Sequence, residues 1–144
     1  MAGKRPFFLH GIDHVVLRSA RVARLVGFYR RVLGCTVERR LAKLGIVQLR
    51  AGRSLIDICD TAGPLGRRGG APPGRLGHNM DHVCLRIEPF DAPALLRYLK
   101  SKGVKAGKVE KRYGAEGRGF SVYFIDPEGN SIELKGPPAP VRGP

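Results

Sequence analysis

The stretch IDHVVLR at residues 12–18 returns as MDHVCLR at residues 80–86, with five of seven positions identical, and this internal repeat decides how the chain is read. Each copy alternates with the period of a half-buried strand. Val15 and Leu17 fall on one face and His14 and Val16 on the other, while Val83 and Leu85 oppose His82 and Cys84. Outward from the first copy, Val22, Leu25, Val26, Tyr29 and Leu33 lie at helical spacing within Ala20 to Leu33, and Gly34 stops the helix. Outward from the second, DAPALLRYLKSKG at residues 91–103 opens with Asp91 as N-cap and Pro93 in the first turn, and ends at Gly103.

Three strands are expected after each helix. In the first half they are CTVERRL, GIVQLRA and SLIDICD; in the second, GKVEKRY, GFSVYFID and NSIELK, the last two joined by the turn DPEGN. The order is βαβββ twice, an α+β arrangement of two small curved mixed sheets, each with a helix on its outer face. The boundaries implied are a repeat over 10–60, a linker over 61–77, a repeat over 78–136 and a Pro-rich tail over 137–144. The Gly/Pro/Arg-rich linker is long for a connection within a compact domain, which makes it mobile or functional.

Composition narrows the function classes. With 144 residues, 42% hydrophobic and 26% charged, the chain reads as one globular domain, or two modules sharing a core. No apolar run is long enough to cross a bilayer, and the N-terminus lacks the apolar stretch of a secretory signal, so the expected location is the cytoplasm. Cys35, Cys59 and Cys84 lack metal-binding or redox spacing and read as reduced, buried core residues. The net charge of +14 brings nucleic acid to mind, but the 26 basic residues are spread along the chain without a recognition motif. A diffuse positive field better suits an anionic small substrate, or solubility alone.

Alternation places four polar residues in matched positions. His14 and His82 lie on the first strand of each repeat; Asp57, opposite Ile56 and Ile58, and Glu133, opposite Ile132 and Leu134, lie on the last. All four face away from the helices. Two imidazoles and two carboxylates suit a divalent metal such as Zn, Ni, Mn, Fe or Co. A single histidine or acid on a strand is ordinarily a solvated or hydrogen-bonded residue, and pairing across a repeat is what favours metal binding. Asp13 and Asp81 are expected on the opposite face, bonded to backbone or a basic partner. His10 and His78 read as surface residues, and of Tyr123 and Phe124 only one can line the cavity.

The segments IDHVVLR, FYRRVLG, SLIDIC, MDHVCLR and SVYFIDPEGNSIELK together resemble the vicinal oxygen chelate superfamily, which groups glyoxalases, fosfomycin-resistance proteins, bleomycin-resistance proteins and extradiol dioxygenases. The resemblance spans residues 10 to 136 and is most specific in the last segment. It implies that His14, His82 and Glu133 are metal ligands. Asp57 stands where glyoxalase I-like members have a fourth ligand, usually glutamate, a position that three-ligand members leave unused. It further implies a metal-dependent lyase or isomerase acting on a small oxygen-rich substrate, with Glu133 as first choice of base and Asp57 as second, and with glutathione or another thiol as co-substrate. A fosfomycin-type thiol transferase, a ring-cleaving dioxygenase and a metal-free binder of the bleomycin-resistance type are the alternatives. For the transferase, Lys111, Arg112, Tyr113 and Arg118 are possible anion contacts, against their ordinary reading as a solvated loop. Because each half-sheet carries one histidine and one carboxylate, geometry and resemblance together imply a homodimer with two sites. In each, His14 and Asp57 come from one chain and His82 and Glu133 from the other.

Overall fold

The computed structural model describes residues 6–140. Strand β1 (His14–Ser19) leads into helix α1 (Val22–Leu33), and β2 (Thr36–Leu41), β3 (Ile46–Ala51) and β4 (Ser54–Asp60) complete the first module. The second repeats the order with β5 (His82–Arg86), α2 (Ala92–Ser101), β6 (Glu110–Gly114), β7 (Gly117–Ile125) and β8 (Ser131–Pro138). The sheets run β1-β4-β3-β2 and β5-β8-β7-β6, with β1 parallel to β4, β5 parallel to β8, and the remaining neighbours antiparallel. The expected fold class is the observed one. Helix α1 starts two residues later than its apolar spacing indicates, and Gly34 ends it in the left-handed conformation. Asp91 caps α2 by accepting from the Ala94 amide at 3.0 Å. Strand β8 runs on through Pro137 and Pro138, so part of the expected tail is sheet, while residues 141–144 lie outside the described region.

Both modules bury the same side. Leu17, Leu49, Ile56 and Ile58 of the first sheet and Val122, Phe124, Ile132 and Leu134 of the second join Leu25, Val26, Phe28 and Tyr29 of α1 and Leu99 of α2 in one cluster. Aromatic and polar links reinforce it. Phe28 packs on Phe124 across the modules, and the Tyr29 hydroxyl donates to Asp126 at 2.8 Å. Asp126 is the first residue of the DPEGN turn. Its two oxygens also accept from the Glu128 and Asn130 amides and from the Asn130 side chain, so the turn that closes the β7–β8 hairpin also docks it on α1. Ser19 donates to Glu128 at 2.7 Å, and Asn79 bridges Arg18 and Asn130. With the helix-side faces fused in one core, the polar faces of both sheets look away from it.

The linker is held rather than loose. The Arg18 guanidinium donates to the carbonyls of Gly66, Gly69, Gly70 and Ala71 at 2.7–3.1 Å. A Cβ at Gly66 would come within 1.9 Å of the Asp60 carbonyl oxygen, so glycine is required there, and one at Gly69 would push on the Arg18 guanidinium at 2.5 Å. The held linker walls an open cavity of about 810 Å³ lined by Arg18, Gly69 and residues 71–79.

Candidate functional site

Register puts the four site residues in equivalent places. On the first outward face Val16 pairs with Asp57, so Asp57 lies diagonally from His14; on the second Cys84 pairs with Glu133, which lies on the same diagonal from His82. The next strand supplies the carboxylate's neighbour at the same register in each module. Gln48 Nε2 donates to Asp57 at 2.9 Å, and the Tyr123 hydroxyl donates to Glu133 at 2.8 Å. Tyr123 therefore lines the polar face, while Phe124 lies in the core. Each pair forms half of the expected ligand set. Among the described residues no three His, Cys, Asp or Glu side chains converge to hold a metal within one chain.

The preceding aspartates do something the alternation did not indicate. Asp13 and Asp81 each reach their neighbouring histidine, with Oδ1 2.6 Å from Nδ1 of His14 and of His82. The expectation that they bond backbone or a basic partner on the far face is thus corrected. Each aspartate sits just outside its strand, where strict two-residue alternation no longer governs direction. The bond to Asp13 raises the His14 pKa, against a lowering by desolvation, with the Asp57 charge adding to the rise. With Nδ1 engaged, Nε2 is the nitrogen each ring presents, the arrangement in which a carboxylate orients a metal-binding imidazole.

The two carboxylates differ in environment. Asp57 is 4% exposed, and its Oδ1 is buried with no hydrogen-bond partner. Glu133, 5% exposed, is surrounded: His82 Nε2 lies 3.3 Å from Oε2, and the Ser121 hydroxyl is close without completing a well-formed hydrogen bond. Burial pushes its carboxyl up, but Ser121, Tyr123, the Cys84 thiol and His82 together hold it below the ordinary value. Cys84 corrects another expectation. Cys35 and Cys59 are buried, whereas Cys84 is exposed on the polar face beside Glu133. Desolvation and the Glu133 charge push its thiol up to about 11, against a lowering by Lys135. His10 and His78 are exposed, as expected.

The residues named as anion contacts all lie on the β6–β7 hairpin, with Tyr113 opposite Arg118 in register. Arg112 is paired with Glu110, Lys111 lies over the Phe120 ring, and Tyr113 and Arg118 face solvent. Lys135, which sequence reasoning passed over, lies two positions beyond Glu133 on the same face.

A fold of paired βαβββ modules, with a histidine and a carboxylate on each outward face, defines a class. The chain belongs to the Glyoxalase/Bleomycin resistance protein/Dioxygenase superfamily, whose sequence profile matches residues 11–134. Among solved structures it is similar to lactoylglutathione lyase from Agrobacterium tumefaciens, at 20% identity and TM-score 0.64, covering 92% of this chain and 96% of that one. It is similar to the fosfomycin resistance protein FosX from Listeria monocytogenes, at 16% identity and TM-score 0.65, covering 89% and 92%. It also resembles TnmS3, an antibiotic binding protein from Streptomyces sp. CB03234, at 18% identity and TM-score 0.67, covering 91% and 98%. These similarities establish a shared fold.

Proposed function

We propose that the chain is a metal-dependent enzyme of the glyoxalase type, acting on a small oxygen-rich substrate in a cavity that two chains build together. The observation that carries this reading is the histidine–carboxylate diagonal, repeated at one register on two outward faces, each imidazole steadied by the preceding aspartate. The faces look away from their common core, so a second copy brings the first face of one chain against the second face of the other. The donor set fits a divalent ion: His14 and Asp57 of one chain with His82 and Glu133 of its partner. The buried, unpartnered Oδ1 of Asp57 is the oxygen most in need of a cation.

When bound, such an ion supplies Lewis-acid polarisation of neighbouring substrate oxygens. The chain's own residues do the rest. Asp13 and Asp81 orient the imidazoles, while Tyr123 and Gln48 fix the carboxylates. The donors around Glu133 keep it ionised, as both a ligand and a base require, so Glu133 remains the first choice to accept a proton from a substrate carbon and Asp57 the second. A thiol such as glutathione is the natural co-substrate, for isomerisation of a thiol adduct or for thiolate attack on an acidic antibiotic.

Titrating chelator-treated protein with Zn, Ni, Mn, Co and Fe tests the proposal. About one equivalent per chain is expected, abolished in His82→Ala and weakened about 10–100-fold in Asp13→Asn and in Asp81→Asn. A second reading, a metal-free binder of an aromatic or apolar antibiotic, is favoured by Val16 and Ile125, which lie exposed on these same faces. Binding of less than about a tenth of an equivalent of every ion would move the assignment there. Assays with methylglyoxal plus glutathione, fosfomycin plus thiols, and catechols under oxygen then separate the reactions.

A further inference from the structure

Lys135 is 6% exposed, yet among the described residues its ammonium makes no hydrogen bond and no ion pair. The stem is enclosed, while the Nζ tip keeps access to the outward face, where a bound anion could meet it. The groups that could neutralise it are engaged elsewhere. Glu133, its neighbour on the same face, is taken by His82 and Tyr123, and Glu116 and Glu88 both pair with Arg86, which lies beside Lys135 in register. Arg86 is a spent cation and Lys135 an available one. Its side chain also has a bed made for it. A Cβ at Gly114 would come within 2.7 Å of its Cε, and one at Gly119 within 2.8 Å of its Nζ and 2.6 Å of the Pro137 carbonyl oxygen, so the lysine side chain lies across two glycines of the β6–β7 hairpin. Ser121, opposite Lys135 in register, adds a buried hydroxyl without a completed hydrogen bond.

We propose that Lys135, with Ser121, is the anchor for an oxyanion on the substrate: a carboxylate, phosphonate or phosphate group two strand positions, about 7 Å, from the oxygens held at Glu133. This rests on the reading of the second polar face as one wall of the substrate cavity, and it narrows the substrate to small molecules with an acidic group at that distance. A charged donor in a partly desolvated site binds an oxyanion better than a solvated surface lysine can. The competing account is a lysine stem that merely covers apolar surface while its tip reaches water.

Methylphosphonate is the probe, followed by amide shifts in metal-free, full-length protein. Saturable shifts are expected at Gly114, Gly119 and Ser121, with affinity at least about tenfold weaker in Lys135→Met, kept in Lys135→Arg and unchanged in Lys108→Met at an exposed site. Lys135→Gln repeats the test should the Met variant not fold. Equal binding by the Met or Gln variant, shifts that avoid the hairpin, or no binding to the unmodified protein would overturn the proposal. Binding that depends on Lys135 in a protein that takes up no metal would leave the anchor standing and overturn the metal reading alone.

Discussion

The two outward faces are copies of one design that have drifted apart in their supporting residues. Both keep the aspartate–histidine pair and the carboxylate on the same diagonal. Around the carboxylate, the first face offers one amide from Gln48 and leaves an oxygen bare, whereas the second offers hydroxyls, a thiol and an imidazole. The arginines that close the repeat differ as well. Arg18 grips the linker through four carbonyls, and its counterpart Arg86 pairs with two exposed glutamates. What the two faces share is the aspartate–histidine–carboxylate frame; what differs is whatever satisfies each face in its own surroundings.

The carboxylates provide the largest contrast. Glu133→Gln should lose about a hundredfold or more in metal affinity and destabilise the metal-free chain by about 1–2 kcal/mol, since charged hydrogen bonds are lost. Asp57→Asn should also weaken metal binding but leave the metal-free chain as stable or more so, because a buried oxygen without a partner is no longer charged. The sign with pH is fixed for Glu133. Its folded pKa lies below 4.5, so its contribution is present above 4.5 and lost as pH falls through the lower folded value; the Glu133→Gln deficit should shrink over that same acid range. Thermal melts at pH 7 and pH 3.5 measure both. Equal shifts at the two sites would erase the distinction.

Arg18 and Arg86 come next. Arg18→Ala should cost about 2 kcal/mol and open the linker around residues 66–71 to limited proteolysis, as four carbonyls lose their donor. Arg86→Ala, which breaks exposed ion pairs, should leave melting and cleavage essentially unchanged. Mass spectrometry of the fragments decides it. Indistinguishable cleavage patterns in the two variants would show that the linker is held by something other than Arg18.

The smallest effect concerns Cys84. Although exposed, its thiol is pushed up to about 11, so alkylation by iodoacetamide should be slow at pH 8 and rise roughly tenfold per pH unit until near that value. Glu133→Gln, by removing the adjacent charge, should bring the midpoint down. A midpoint in the ordinary thiol range for the unmodified protein would mean that Cys84 and Glu133 do not share a face.

Much of this was legible in the sequence because it follows from repetition and alternation. The duplicated strand, the glycine stop at Gly34, the Asp91 cap and the face assignments of His14, His82, Asp57 and Glu133 all depend on local period and cap chemistry. What was not legible depends on direction at strand ends or on backbone partners. Asp13 and Asp81 turn onto their neighbours where the pleat has not begun. Arg18 finds carbonyls, which leave no side-chain signature. Lys135 reads as a solvated charge at the end of a strand until the glycines beneath it and the engaged acids around it are seen together. For Cys84 the alternation gives the outward face it shares with His82, but not its exposure, which depends on what covers that face.

The central claim is that two incomplete faces become one site between chains, and subunit mixing tests it most directly. His14→Ala and Glu133→Ala chains, each unable to bind metal alone, are combined under conditions where subunit exchange is followed independently. Sharing between chains predicts that heterodimers regain one intact site, with metal uptake approaching half an equivalent per chain within the exchanged fraction. Exchange without any recovery of metal binding would contradict the account.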